Sequence, residues 1–266
     1  MTGAPKLPGT VSQKPSIVQR SLSLKMREGR GGSMESVMSK NVISMKTRRE
    51  ALAMLGASGL AVAVGCGDES SASPGTPTGA CAVAPSETVG PFPSLTDLVR
   101  SDIREGRSGL TLTLNITVVN AGSGCSAVAG AMVDVWQCDA EGRYSQYAQP
   151  GFDGRGESFL RGIQTTDASG RVTFTTVYPG WYAGRATHIH VEVTVNGRSV
   201  KVTQIAFPEG VNGAVYATGV YAARGPNPTS NAADGIFAGS LNAELATLSG
   251  DTTNGYTAAF TLGVSV

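Results

Sequence analysis

Histidine is almost missing from this chain, with two copies in 266 residues. Two imidazoles cannot complete a zinc or copper site by themselves, so any metal held here needs oxygen or sulfur donors as well. Charge is also sparse, at 15%, while 35 glycines and 13 prolines punctuate the chain. That balance works against long helices and favours many strands and turns. The four cysteines form no CxxC pair, which excludes a zinc knuckle. No P-loop, GxGxxG motif or repeat of whole units is present. The longest uncharged apolar run, Ala51 to Gly65, would cover roughly 22 Å as a helix at about 1.5 Å per residue, too short for a hydrocarbon core of about 30 Å.

What is present begins with a charge asymmetry. Residues 1–44 carry seven Lys and Arg against two acids, whereas residues 67–266 carry eleven against seventeen, leaving that part at 11 − 17 = −6. Such a surface repels phosphate backbones, so a nucleic-acid partner is not expected. Paired Arg48 and Arg49, the apolar run and then Cys66 give the layout of a bacterial export signal over 45–66. It resembles a twin-arginine signal, with Ala51 where an aromatic residue is usual. Cys66 follows Ala63-Val64-Gly65 in the manner of a lipoprotein cleavage site, and a lipid anchor there is left open. Residues 1–44 are a leader of uncertain status with no assigned function, and 67–80 have little to bury and read as a flexible linker. The expected location is outside the cytoplasm of a bacterium. In an oxidising compartment Cys81, Cys125 and Cys138 permit one disulfide and one leftover thiol, and the sequence does not choose the pair.

From residue 81 to 266 the pattern is one of strands. Leu110, Leu112, Leu114, Ile116 and Val118 alternate strictly and mark a half-buried strand. A second strand is expected from about Ala131 to Gln137, followed by a turn at 139–142. Another turn at 167–170 precedes a strand carrying Val172, Phe174 and Thr176, which stops at Pro179-Gly180. Asn196-Gly197 is the strongest hairpin signal in the chain. A simple two-residue loop there would set Val193 against Val200, Val191 against Val202 and Glu192 against Lys201. Beyond Pro208 the sequence loosens, and a closing strand is expected near the C-terminus. The expected class is therefore all-β, an antiparallel prealbumin/immunoglobulin-like β-sandwich with long loops.

Both histidines fall on one of these strands, in GWYAGRATHIHVEV. Alternation sends Ile189, Val191, Val193 and Val195 to the core and His188, His190, Glu192 and Thr194 to the other face. The two imidazoles are thus spaced to reach a single metal ion, with the missing donors drawn from Asp, Glu, Cys or Tyr.

The segments VDVWQCDAEGRYS, FLRGIQTTDASGRVTFTTVYPGWYAGRATHIHVEV and TQIAFP together resemble the intradiol ring-cleavage dioxygenases. They join a G-x-Y turn, a P-G-x-Y turn and an R-x-x-H-x-H strand in that family's order. The resemblance spans about Cys81 to Phe237. It implies a non-haem Fe(III) site with Tyr144, Tyr182, His188 and His190 as metal ligands, and a catechol-type aromatic substrate cleaved with O2 between its hydroxyl-bearing carbons to a cis,cis-muconate-type diacid. It further implies that Tyr182 is the axial phenolate that leaves when substrate binds, and that Arg185 and Gln204 stabilise anionic substrate. Ferric iron suits such a donor set because it is hard and lowers a phenol's pKa far below its free value of about 10.

Only Ala183 and Gly184 separate Tyr182 from Arg185, fewer residues than in the better-known enzymes, so the substrate is left open. A signal and linker stand where catechol enzymes have a helical dimerisation region, which brings the chain closer to an exported branch; a homodimer is left open. The simple hairpin register puts Gln204 on the face opposite His190, so its assignment requires a β-bulge. The competing expectation is a non-catalytic exported prealbumin-like binding or accessory domain. A copper or zinc HxH protein is a third.

Overall fold

The computed structural model of the chain describes residues 82–266. The leader, the export signal with Cys66, the linker and Cys81 lie outside the described residues. Within them the chain is all-β with few helices. Strands β1 (Thr111–Asn120), β2 (Ser126–Ala127), β3 (Met132–Trp136), β4 (Ala148–Gln149) and β5 (Phe152–Asp153) come first. Then follow β6 (Arg161–Thr165), β7 (Arg171–Val177), β8 (His188–Val195) and β9 (Arg198–Ala206). Helices α1 (Glu209–Tyr216) and α2 (Leu241–Glu244) precede β10 (Thr247–Asp251) and β11 (Gly255–Val264). No helix among the described residues is long and apolar enough to cross a membrane.

One sheet runs β10-β11-β1, with β2 and β7 both paired to β1; the other runs β6-β3-β8-β9. Strands β4 and β5 form a separate small ladder. The alternation of β1 works as expected, because Leu112, Leu114, Ile116 and Val118 are fully buried. They share a single core with Val133 and Val135 of β3, Phe174 of β7, Ile189, Val191 and Val193 of β8, and Phe260 and Leu262 of β11. Apolar faces of both sheets thus close over the same interior, the main favourable term for a domain of this size.

Three expectations are corrected. The closing strand β11 runs parallel to β1, pairing Leu112 with Tyr256 through Asn120 with Val264, so the architecture is not wholly antiparallel. Between Val193 and Thr194 the β8–β9 ladder shifts register: Thr194 pairs with Ser199, but Val193 pairs with Lys201, Glu192 with Val202 and Val191 with Thr203. Val200 is the extra residue, and it packs against the core cluster. The hairpin loop itself is as expected, with Asn196 and Gly197 both at positive φ. Third, the loosened stretch after Pro208 contains the eight-residue helix α1. Among the described residues Cys125 is disulfide-bonded, and Cys138 is a free, buried thiol.

The bulge has a consequence for function. It returns Gln204 to the position opposite His190, while Trp136 pairs with both His190 and Arg161. Arg161, Trp136, His190 and Gln204 thereby form one cross-strand row on the sheet face turned away from the shared core.

Candidate metal centre

That outer face is not a solvent face. His188 and His190 are 2% and 1% exposed, because a second cluster of Trp136, Cys138 and Tyr144, flanked by Phe92 and Tyr182, covers them. Trp136 stacks flat on His190 at 5.0 Å between ring centres. The N-terminal segment closes the other side, and a Cβ on Gly90 would stand 2.9 Å from His190 Cε1. Composition gave no sign of this cover, which comes from three distant segments.

Two turns deliver the phenols. Asp139 closes the first, its Oδ1 accepting the backbone N–H groups of Glu141 and Arg143 at 2.9 and 3.0 Å, and Tyr144 leaves it directed inward. The second turn, Pro179-Gly180, carries Tyr182. Gly142 packs on the Trp181 carbonyl, and Gly180 packs on the carbonyls of Asp139 and Ala140. The two turns therefore interlock through backbone. Tyr144 and Tyr182 meet edge to face at 5.8 Å.

The four rings complete a circuit, with Tyr182 to His188 at 5.5 Å, His188 to His190 at 4.8 Å and His190 to Tyr144 at 6.4 Å. The two Nε2 atoms are 3.2 Å apart, and the Tyr182 hydroxyl is 3.2 Å from His188 Nε2. His188 Nδ1 lies 2.7 Å from the Ala186 carbonyl, which can only accept, so Nδ1 carries the proton and Nε2 keeps its lone pair. Arg185 binds Asp234 through Nε at 2.9 Å and Gln204 Oε1 through an amino group. Gln204 Nε2 donates to the Thr88 carbonyl at 3.1 Å. All six residues singled out from the sequence therefore stand in one neighbourhood. Asp234, Phe92 and Gly90 have no motif of their own to announce them, and Trp136 falls within VDVWQCDAEGRYS without a role read from it.

The donor set fits a hard, highly charged cation. Among the described residues no group of three or more His, Cys, Asp or Glu could hold a metal; the oxygen donors beside the imidazole pair are the Tyr144 and Tyr182 phenols. Two nitrogens at about 2.1 Å from one ion on adjacent corners of its coordination shell are roughly 3.0 to 3.4 Å apart, which brackets the Nε2 pair. The Tyr144 hydroxyl is buried with no hydrogen-bond partner, an expense that a bound cation would remove. By contrast Tyr147, Tyr178, Tyr216 and Tyr221 all commit their hydroxyls to other residues. Burial pushes the Tyr144 phenol well above its ordinary value and raises that of Tyr182, against which Arg185 acts in the opposite sense. Both phenols are thus neutral until a cation reverses the balance.

Burial and then the Arg185 charge push the His188 imidazole from 6.5 down to about 3, and burial with His188 as neighbour holds His190 well below its ordinary value. Both are neutral when folded. In the unfolded chain each gains a proton near about pH 6.5, so below that point the unfolded state binds more protons. Stability of the metal-free protein should therefore fall on acidification from pH 7 to 5, approaching about 1.4 kcal/mol per pH unit for each imidazole. Urea midpoints across that range check this, and a His188→Gln variant should show a shallower slope. A flat profile would contradict neutral buried imidazoles.

The family model described as Dioxygenase matches residues 89–224, just over half of the chain, which makes this all-β protein a dioxygenase of the oxidoreductase class. It belongs to the intradiol ring-cleavage dioxygenases, and catechol-type ring cleavage is the general activity of that family. Among solved structures it is similar to an intradiol ring-cleavage dioxygenase from Tetranychus urticae, at 28% identity and TM-score 0.64, covering 70% of this chain and 95% of that one. The dioxygenase domain of a dioxygenase carbohydrate-binding protein fusion from Streptomyces sp. SirexAA-E is 25% identical with TM-score 0.52, covering 70% and 99%. Hydroxyquinol 1,2-dioxygenase from Pseudomonas putida DLL-E4, at 16% identity, TM-score 0.51 and coverage of 69% and 67%, shares the fold. No curated protein sequence gives a significant match.

Proposed function

We propose that this chain is an exported, non-haem Fe(III)-dependent intradiol dioxygenase on a prealbumin/immunoglobulin-like β-sandwich spanning 81–266. It cleaves a catechol-type ring between the two hydroxyl-bearing carbons, and both atoms of O2 enter a cis,cis-muconate-type diacid. Tyr144, Tyr182, His188 and His190 would hold the iron. The observation that carries this reading is the closed circuit of two phenols and two imidazoles around paired Nε2 atoms, with the Tyr144 hydroxyl buried and unpartnered.

Ferric iron, when bound, supplies the Lewis acidity that ionises phenols and a vicinal diol and the redox capacity to engage O2. The chain's own residues do the rest. His188 presents Nε2 because its proton is committed to Ala186. Tyr182 is the half-buried member of the set and adjoins exposed Ala183 and Gly184, so it is the phenol that, ionised when iron is bound, would swing out and take a substrate proton on its phenolate oxygen. Tyr144, fully buried and stacked on Phe92 at 4.8 Å, stays. Arg185, held from behind by Asp234 and Gln204, keeps its remaining N–H groups for negative charge that develops on the substrate ring. Export is supported by the paired arginines and apolar run before Cys66.

Purified protein loaded with ferric iron should be reddish-brown from tyrosinate-to-iron charge transfer. It should consume one O2 per diol on at least one of catechol, hydroxyquinol, protocatechuate and caffeate. A colourless protein that takes up no iron would favour an accessory domain instead.

A further inference from the structure

Residues 225–266 lie beyond the stretch that the family model matches, yet Asn227, Asp234 and Phe237 among them all touch Arg185. Asp234 is 1% exposed and follows the short 3-10 turn Asn231–Ala233. Its Oδ2 accepts two bonds, from Arg185 Nε at 2.9 Å and from the Ala186 backbone N–H at 2.7 Å. Its Oδ1 accepts the Ile236 N–H at 2.8 Å, which holds the carboxylate's own loop in place. The carbonyl of the same Ala186 receives the His188 Nδ1 proton at 2.7 Å. Ala186 thus links the carboxylate to the imidazole, through its N–H on one side of its Cα and its carbonyl on the other, and one ion pair links the carboxylate to the guanidinium.

We propose that Asp234 is a positioning residue for both halves of the site. Through Nε it fixes the direction of the Arg185 fork, and through Ala186 it fixes the tautomer and aim of His188. It touches neither substrate nor metal. A carboxylate is required because all three donors face it and both oxygens must accept. An amide in its place offers one oxygen, so its NH2 would confront either the Ile236 N–H or the Arg185 and Ala186 donors. The pairing is also charge-assisted in a buried setting, where leaving the guanidinium without its anion is costly. This inference rests on the reading of the site given under Proposed function.

The test compares Asp234→Asn and Asp234→Ala with the parent in the full chain. In the metal-free proteins two measurements apply: hydrogen exchange at the Ala186 amide, and the His188 tautomer from its imidazole 15N shifts. In ferric protein the iron dissociation rate and the split between kcat and KM are read, on whichever of catechol, hydroxyquinol, protocatechuate and caffeate the parent turns over. Exchange at Ala186 should speed up in both variants, with the Nδ1–H form of His188 no longer the only one. Iron should leave faster and kcat should fall by roughly 10- to 100-fold, the usual range for loss of a residue that orients a ligand, with KM little changed. A merely structural role would lower the melting temperature while leaving tautomer and kcat alone, and that result would overturn the proposal. So would parental exchange at Ala186 in a folded Asp234→Asn protein. Should the alanine variant not fold, the asparagine variant decides. If the parent holds no iron, the metal-centre reading fails, and the two metal-free measurements still decide what Asp234 does.

Discussion

Replacing His188 with alanine is expected to abolish ferric iron binding and with it all turnover, whereas Tyr182→Phe should retain iron and still lose turnover. The two residues are 3.2 Å apart, so proximity to the centre does not separate them. Their environments do. His188 is buried on a strand in the middle of a sheet, with its proton tied to Ala186 and its free lone pair aimed at His190 Nε2. Without it only one imidazole remains, and two phenols that ionise only beside a strong cation cannot compensate. Tyr182 sits at the half-buried edge, and three donors persist when its hydroxyl is removed. What is lost is a group able to accept a substrate proton, for which a fall in kcat of roughly 100- to 10,000-fold is expected. Iron analysis, the charge-transfer band and oxygen uptake on the two variants check this. Equal loss of iron from both would contradict the separate part assigned to Tyr182.

A comparably large effect is expected from adding one methyl group at a residue that supplies no donor atom. Gly180→Ala would drive a Cβ into the carbonyl groups of Asp139 and Ala140, and Gly142→Ala would drive one into the Trp181 carbonyl at a backbone φ of +79°. Neither obstacle is a flexible side chain that could step aside. Overpacking against backbone costs about 1–3 kcal/mol, and the left-handed conformation at Gly142 adds about 1–2 kcal/mol for any residue with a Cβ. The damage is directional as well, since these contacts set the 5.8 Å spacing of Tyr144 and Tyr182. Both variants should lose stability in urea and bind iron more weakly than the parent. Wild-type iron affinity in either would show that the interlocked turns do not position the phenols.

The parts of this arrangement that the sequence discloses are those written in short-range periodicity. Alternation in β1 and β8 identifies the core residues and sends both histidines to one face. The turn chemistry at 139–142, 167–170 and 196–197 marks the strand ends. Periodicity carries no direction, so nothing in GYTAAFTLGV tells that β11 runs parallel to β1. Nor does it register a bulge: one extra residue at Val200 moved every pairing on the far side and brought Gln204 opposite His190. The burial of the histidines was illegible for a different reason, because Trp136 and Gly90 reach His190 from separate segments. Helix α1 hides behind Gly210 and Gly213, whose low helix propensity is overridden by the packing of Val215 and Tyr216. Asp234 lies in a stretch rich in Asn, Ala and Gly that resembles any loop, and only its three donors reveal its purpose.

Anomalous diffraction at the iron edge, on crystals of the protein loaded with ferric iron, tests the central claim most directly. A single peak within bonding distance of the Tyr144 and Tyr182 hydroxyl oxygens and of Nε2 on His188 and His190 is the expected result. Iron found elsewhere, or a peak that either phenol ignores, would contradict it.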